Sequence, residues 1–303
     1  MRDTPSPEQQ NFLTGLIGAP IAHSASPAMH EHAAQALGAR CEYRLIEVAG
    51  AGRDELRALL DDVRRLGFAG VNVTFPYKEA VVPLLDDLSP QARAIGAVNT
   101  VAVRAGRLIG HNTDASGFER AIGQFSAAAP LGGAVVALIG AGGVGKAIAF
   151  ALAARGVVAI NVFDADRSKA EHLAAQLRSH HDLRVADSVE DALRGATGLI
   201  NATPLGMLPS RATPVPDTLL HRGLWVADAV YFPLWTPLLL AAKAKGAEVM
   251  TGRELAICQA ADAFELFTGL KPSIPEMGNA FDVVMAKRYA AIGAAQDTAE
   301  QAG

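Results

Sequence analysis

The sequence predicts an α/β protein of two domains, one of them a doubly wound parallel sheet, and three observations predict it. The first is the stretch 134–166. Residues 134–139 are wholly apolar, as a strand buried on both faces of a parallel sheet must be. Gly140, Gly142 and Gly145 follow at the G-x-G-x-x-G spacing, and 144–154 repeats apolar residues along one helix face. Gly156 is placed to end that helix, and 157–163 is a second, β-branched strand that closes on Asp164, 24 residues after Gly140. The second observation is that short apolar runs and helical segments keep alternating up to residue 252, which is the βαβ pattern of a parallel sheet. The third is length, since 303 residues exceed one typical core.

Taken in order, 11–18 reads as a first strand and 27–37 as a helix behind the loop Gly18 to Pro27. Ser26 before Pro27 has the pattern of an N-cap, whereas Ser24 has no such structural explanation. Two hydroxyls one residue apart at a helix start suit a small carboxylate. Residues 41–48 form a second strand, and 53–66 an amphipathic helix ending at Gly67. Residues 70–75 alternate like a strand that Pro76 stops, which gathers Asn72, Thr74 and Lys78 where strand meets following helix. A short helix over 89–96 and a strand over 97–103 follow. Residues 107–111 continue the sheet or make a hairpin, and 115–125 is a helix for which Asp114 has N-cap chemistry.

Small residues around Pro130, over 127–133, read as a linker. Beyond Asp164 come a helix at 169–177, a strand at 183–186, a helix at 189–193 and a strand at 198–202. Residues 209–220 read as a surface loop. A strand at 224–230, a helix at 237–244 and a strand at 247–250 complete the second sheet. Helices over 254–267 and 275–292 close the chain, and 293–303 reads as a frayed tail. The domains are therefore expected at 11–126 and 127–252, with the helices of 253–292 returning to the first.

Composition excludes several classes. Half the residues are apolar and 19% are charged, as in a folded chain rather than a disordered one. The net charge is -4 with no basic block, so neither nucleic acid nor an anionic membrane is an expected partner. No apolar run approaches the roughly 18 residues of a membrane span, and residues 1–10 lack an apolar signal core, so the cytoplasm is expected. Cys41 and Cys258 make no disulfide framework, and His23, His30 and His32 lack further metal-ligand spacing, so no metal site is expected.

The chemistry-bearing residues sit at strand ends on either side of the glycine motif, which predicts a cleft between two domains. Helix N-terminal amides after Gly140, Ala141, Gly142, Gly143, Val144 and Gly145 suit a dinucleotide pyrophosphate, and Asp164 suits the ribose hydroxyls. A 2′-phosphate there would meet Asp164 and Asp166, so NAD is preferred. Arg167 partly offsets that repulsion and keeps NADP open. Oxidising an alcohol with such a cofactor needs a proton acceptor, and Lys78 with Asp114 are the candidates. Each also has an ordinary reading, a surface charge for Lys78 and a helix cap for Asp114.

Several motifs then occur together. They are Gly18-x-Pro-Ile-x-His-Ser24-x-Ser26-Pro, Asn72-Val-Thr74-x-Pro-x-Lys78, Gly96-Ala-Val-Asn99-Thr and Asn112-Thr-Asp114-x-x-Gly117 in the first part. In the second they are Gly140 to Gly145, Asn201-Ala-Thr203-x-x-Gly-Met207, Asp228-x-Val-Tyr231 with Thr236-Pro-Leu, and Thr251-Gly-Arg253 through Gln259. Over about 16–269 the chain resembles the shikimate dehydrogenase family. The resemblance implies an N-terminal substrate domain, a Rossmann-type NAD(P) domain, an active site in the interdomain cleft, and reversible oxidation of shikimate to 3-dehydroshikimate.

Carried over by position, it implies that Ser24 and Ser26 bind the substrate carboxylate and that Thr74, Asn99 and Gln259 hold ring hydroxyls. Lys78 would transfer the proton, with Asp114 orienting it and contacting the same hydroxyl, and Tyr231 would line the pocket. Ala202, Thr203, Pro204, Leu205, Met207, Val230 and Gly252 would line the cofactor path, with Arg167 beside it. NADP-linked members carry Asn-Arg-Thr where this chain has Asp164-Ala165-Asp166, which is similar to the NAD-using quinate/shikimate branch. Some dual-substrate relatives carry Thr in place of Ser26. Quinate as main substrate, an aminoshikimate-type paralogue and a non-catalytic dinucleotide sensor stay open, as do monomer and homodimer.

Overall fold

The structure is a computed structural model that describes residues 10–125, 131–178 and 181–301. In chain order the first elements are β1 (Asn11–Gly18), α1 (Ser26–Ala36), β2 (Arg40–Glu47), α2 (Arg53–Arg65), β3 (Gly70–Val73), β4 (Asp87–Leu88), α3 (Pro90–Ile95), β5 (Thr100–Arg104) and β6 (Arg107–His111). Then follow α4 (Thr113–Phe125), β7 (Val135–Ile139), α5 (Gly143–Ala154), β8 (Ala159–Phe163), α6 (Arg167–Leu177), β9 (Leu183–Val185), α7 (Val189–Ala192) and β10 (Gly198–Asn201). The chain closes with β11 (Trp225–Asp228), α8 (Pro237–Ala244), β12 (Glu248–Met250), α9 (Gly252–Thr268) and α10 (Ile274–Gln301). It divides into two compact units, one of Met1–Leu88, Val98–His111 and Ala260–Gly303, the other of Ser89–Ala97 and Asn112–Gln259.

The first unit is built on a six-stranded sheet in the order β2-β1-β3-β5-β6-β4. β1 lies parallel to both β2 and β3, and β5 is antiparallel to β3 and β6. The open choice at 107–111 resolves as a hairpin. Ala105 and Gly106 both take positive φ, 48° and 74°, which is the type I′ geometry that matches strand twist. Helices α1 and α10 pack together, and His32 Nε2 meets Glu276 Oε2 at 2.9 Å between them. The ring of His30, with no hydrogen-bond partner among the described residues, is buried against Tyr43, Phe264 and Phe267. Burial pushes this imidazole down to about 3, so it is neutral.

The second unit holds a six-stranded, wholly parallel sheet in the order β12-β11-β10-β7-β8-β9. Chain direction across the sheet reverses between β7 and β10, the topological switch point of a doubly wound fold. Apolar strand residues fill both faces. Val136, Leu138, Ile160 and Val162 join one buried cluster, while Ala137, Ile139, Leu199 and Val226 join another. That is why these strands read as continuous apolar runs.

Several expectations are corrected. No α-helix follows β3: Pro76 and Pro83 leave turns and a short 3₁₀ turn, Val82–Leu84. The two-residue β4 had no sequence signal. The stretch 209–220 is not purely surface loop, because Val215 and Leu220 are buried beside Leu238 and Leu239. The tail from 293 continues α10 to Gln301, because its alanines, Gln and Glu favour helix more than Gly293 opposes it. Residues 127–130 of the expected linker lie outside the described residues. In the division into compact units, α4 packs on α5 and groups with the second unit, and the later division falls inside α9.

Candidate active site

In the first unit, the loop leaving β1 and the turn leaving β3 lie at the same edge of the sheet, because Ile17 pairs with Val73 in parallel register. The turn is tied down by the Thr74 N–H donating to the Ile17 carbonyl at 2.9 Å and the Ala19 N–H donating to the Phe75 carbonyl at 3.1 Å. Asn99, just before β5, joins them: its carbonyl accepts from Val73 N at 2.8 Å and from Asn72 Nδ2 at 3.2 Å. Asn72 also donates to Thr100 Oγ1 at 3.0 Å, and its Oδ1 accepts from the Tyr43 hydroxyl at 2.8 Å. Tyr43 in turn bonds with the Ser26 side chain, and burial holds its phenol well above the usual range. One polar chain therefore runs from the half-buried Ser26 through the buried Tyr43, Asn72, Thr100 and Asn99. Tyr43 is a member that sequence reasoning missed, since nothing near it marks a motif.

The serines behave differently from expectation. Ser26 is the first helical residue rather than the N-cap. Ala25 precedes the helix with no side-chain cap, and Ser24 Oγ accepts the Ser26 N–H at 3.2 Å. The helix starts one residue earlier than Pro27 suggests, so Ser24 acquires the local structural role. Lys78 is half-buried on the turn after β3, and its carbonyl accepts from Val98 N at 2.8 Å. Beside it, Tyr77 is anchored by donating to the Val48 carbonyl at 3.0 Å and accepting from Ala51 N at 2.8 Å.

Asp114 and Gln259 belong to the second unit. Asn112, not Asp114, caps α4: its Oδ1 accepts the Ala115 N–H at 3.1 Å while its Nδ2 donates to the Ala97 carbonyl at 3.0 Å. Asp114 thus lies inside the first turn and is 7% exposed. One turn on, a Cβ at Gly117 would lie 2.5 Å from Gln259 N. This contact seats α4 against α9 and explains the glycine in Asn-Thr-Asp-x-x-Gly.

The residues expected to meet a dinucleotide cluster at the carboxyl edge of the second sheet. Gly140 has φ 104°, and a Cβ on it would lie 2.9 Å from the Ala202 carbonyl. A Cβ on Gly145 would run into the Gly140 carbonyl oxygen. Gly142 is the N-cap of α5 with no side-chain cap and open space on its Cβ side. Uncapped first-turn amides with room before them fit a pyrophosphate.

Asp164 closes this loop, its Oδ2 accepting from Ala141 N at 2.7 Å and its Oδ1 from Asp166 N at 2.9 Å. A carboxylate has lone pairs beyond those two, so ribose hydroxyls still fit. Arg167 has two acidic partners. It pairs with Asp187 at 2.6 Å and Glu171 at 2.8 Å, and these partners keep its guanidinium charged. Asp166 caps α6, and its bond from Ser168 lowers its carboxyl.

The 202–207 loop is fixed by Ala202 N donating to the Ile139 carbonyl at 2.7 Å and by Thr203 N donating to Asn201 Oδ1 at 3.0 Å. Leu205, Met207 and Tyr231 are all exposed apolar side chains on these loops. Sequence reasoning assigned no role to Asn201, Asp228 or Thr236, although each stood in a motif. Burial pushes the Asp228 carboxyl up to about 7, against the pull of bonds from Thr236, Val230 and Asn201. Among the described residues, no group of three or more His, Cys, Asp or Glu could hold a metal ion, and no helix is long and apolar enough to cross a membrane.

Known proteins resemble this chain in sequence and fold. Residues 16–101 match the family model for the shikimate dehydrogenase substrate binding domain, and residues 135–227 match one described as NADP oxidoreductase, coenzyme F420-dependent. The quinate/shikimate dehydrogenase (NAD(+)) of Corynebacterium glutamicum is 44% identical over 279 residues, covering 89% of this chain and 98% of that one. The shikimate dehydrogenase (NADP(+)) of Streptomyces avermitilis is 44% identical over 276 residues, covering 89% and 94%. The structure of quinate dehydrogenase from C. glutamicum in complex with NAD superposes with a TM-score of 0.84 at 43% identity, covering 90% of this chain and 99% of that one. With identity of this order along nearly the whole of both chains, this protein belongs to the shikimate dehydrogenase family of NAD(P)-dependent oxidoreductases.

Proposed function

We propose that the chain oxidises a ring hydroxyl of shikimate, reversibly, with NAD as preferred acceptor and quinate as a second substrate. The observation that carries this reading is the polar edge of the first unit. Ser24 and Ser26 stand at the start of α1, Thr74 on the turn after β3 and Asn99 before β5, and the Tyr43–Asn72–Thr100 chain ties Ser26 to Asn99. Hydroxyls and an amide held in that way suit a small acid carrying several hydroxyls, and they would reject an analogue lacking one of them. Substrate recognition is assigned to 11–126 and the returning helices of 253–292, dinucleotide recognition to 127–252, and the cytoplasm is the compartment.

The first-turn amides of α5 and Asp164 would hold NAD, which would supply the hydride acceptor for the ring carbon. Lys78 takes the hydroxyl proton at its Nζ in the same step, so the alkoxide charge never builds up unopposed. Asp114 orients the exchange, and Gln259 with Thr74 and Asn99 holds the neighbouring hydroxyls. NAD is favoured over NADP by Asp164, whose carboxylate would repel a 2′-phosphate, and by Arg167 being engaged elsewhere. The quinate reading is favoured by the acidic Asp164-Ala165-Asp166 stretch together with the likeness to a quinate/shikimate dehydrogenase.

The test is kcat/KM for shikimate and quinate, each with NAD and NADP, on the wild type and on Lys78→Ala. The variant is expected to lose about 10²- to 10⁴-fold in kcat while still binding shikimate. A variant that turns over as fast as the wild type removes the assignment, and a wild type inert with both acids removes the proposed activity.

A further inference from the structure

Asn201, Asp228 and Thr236 come from separate sequence motifs, yet they meet in one buried knot within the second unit. Asn201 and Asp228 are register partners at the last positions of β10 and β11. Thr236 is the N-cap of α8, its Oγ1 accepting the Leu239 N–H at 3.3 Å. All three are buried, at 0%, 2% and 0% exposure. Asp228 Oδ1 accepts from Asn201 Nδ2 and from Val230 N, both at 2.9 Å, and Oδ2 accepts from Thr236 Oγ1 at 2.7 Å.

Asn201 passes the connection on. Its Nδ2 also donates to the Leu205 carbonyl at 3.1 Å, and its Oδ1 accepts from Thr203 Oγ1 at 2.7 Å. The paths of 202–207 and 229–236 are thus both set from one carboxylate. Neither loop has slack against its neighbours. Gly140 leaves no room for a Cβ beside Ala202 and Thr203, and a Cβ on Gly252 would lie 2.5 Å from the Val230 oxygen.

We propose that Asp228 is a positioning residue for the dinucleotide, acting through Asn201, Val230 and Thr236 to pre-form the two loops without touching the ligand itself. The inference rests on the proposed function, with Ala202 to Met207 and Val230 lining the cofactor path as the family resemblance implies. A pre-formed loop spares binding the entropy of ordering it, and a knot that is cut returns that cost as weaker affinity.

The experiment titrates NADH by fluorescence against wild type, Asp228→Ala, Asp228→Asn and Thr236→Val, and measures KM for NAD and for shikimate. Asp228→Ala is expected to weaken NADH binding about tenfold or more and to raise KM for NAD in step. KM for shikimate stays within about twofold, because Ser24, Ser26, Thr74 and Asn99 belong to the first unit and the knot lies wholly within the second. Asp228→Asn is expected within about threefold of wild type. Its carboxamide oxygen can accept from Asn201 and Val230 while its Nδ2 donates to a turned Thr236 hydroxyl.

Thr236→Val cuts one strand of the knot and is expected to weaken NADH about threefold, which decides the matter should Asp228→Ala not fold. A merely structural role would lower Tm and active fraction in both Asp228→Ala and Thr236→Val yet leave the NADH affinity of the folded protein unchanged. That result overturns the proposal, as does an Asp228→Asn as weak as Asp228→Ala. A wild type that binds NADH but leaves shikimate unoxidised overturns the proposed activity, and the NADH titration still judges Asp228.

Discussion

Asp164 accepts two backbone amides at once, and that sets what its replacement does. In Asp164→Asn one oxygen remains to accept from either Ala141 or Asp166, and the new amide group faces the other N–H. The variant is expected to lose about 1 kcal/mol of stability from the unpaired donor. With the charge gone, the NAD:NADP ratio of kcat/KM is expected to fall by about tenfold, the order of one unit-charge contact at a solvated surface. Adding Asp187→Ala removes a partner that holds Arg167 and is expected to lower the ratio further, since exposed ion pairs are worth at most about 1 kcal/mol. Steady-state kinetics with both dinucleotides decides this, and an unchanged ratio in the double variant sinks the repulsion argument. Asp164 was legible in the sequence because its spacing from Gly140 is fixed by one βα turn, one helix and one strand. The engagement of Arg167 was not, because Asp187 lies a further helix and strand along the chain.

At the scale of elements, the meeting of α4 and α9 is a close constraint. Gly117→Ala would place a methyl against the Gln259 backbone, and overpacking of this kind costs about 1–3 kcal/mol. The helices must separate or turn, and Asp114 and Gln259 move with them. The expected outcome is a lower Tm together with a several-fold rise in KM for shikimate, read by thermal melting and kinetics. A variant with a wild-type KM would detach Gly117 from the site. The parallel strands of the second sheet were readable because apolar burial on both faces leaves no polar alternation to confuse them. Caps were less so: Asn112 and Asp114 have the same chemistry, and only the Asn112 bridge to the Ala97 carbonyl distinguishes them. The segment after β3 read as helical from its apolar residues, yet Pro76 and Pro83 left only turns.

At the scale of the whole molecule, two buried titratable groups, one in each unit, drive stability in opposite directions with pH. His30 titrates at about 3 when folded and near 6.5 when unfolded, so the unfolded chain binds the proton first as pH falls. The stability held by the neutral ring is complete above about 6.5 and lost steadily towards 3. Asp228, raised to about 7, keeps its proton in the fold where the unfolded chain has lost it, so its contribution falls as pH rises from about 4 to 7. His30→Leu is therefore expected to remove the acid loss from the first unit, flattening its denaturation midpoint between pH 5 and 6.5. Circular dichroism is the probe for this, because both tryptophans, Trp225 and Trp235, lie in the second unit. An identical pH slope in variant and wild type would show that His30 is not the group responsible.

The first unit is also gathered from three separated stretches, the last beginning at Ala260. During synthesis, residues 112–259 leave the ribosome with nearly all their own partners and can settle at once. The earlier sheet must wait for Phe264, Phe267 and α10 before α1 and the ring of His30 are covered. A nascent chain therefore carries a finished nucleotide module behind an unfinished one, and it is most vulnerable to misassembly until the stretch from Ala260 onward has been made.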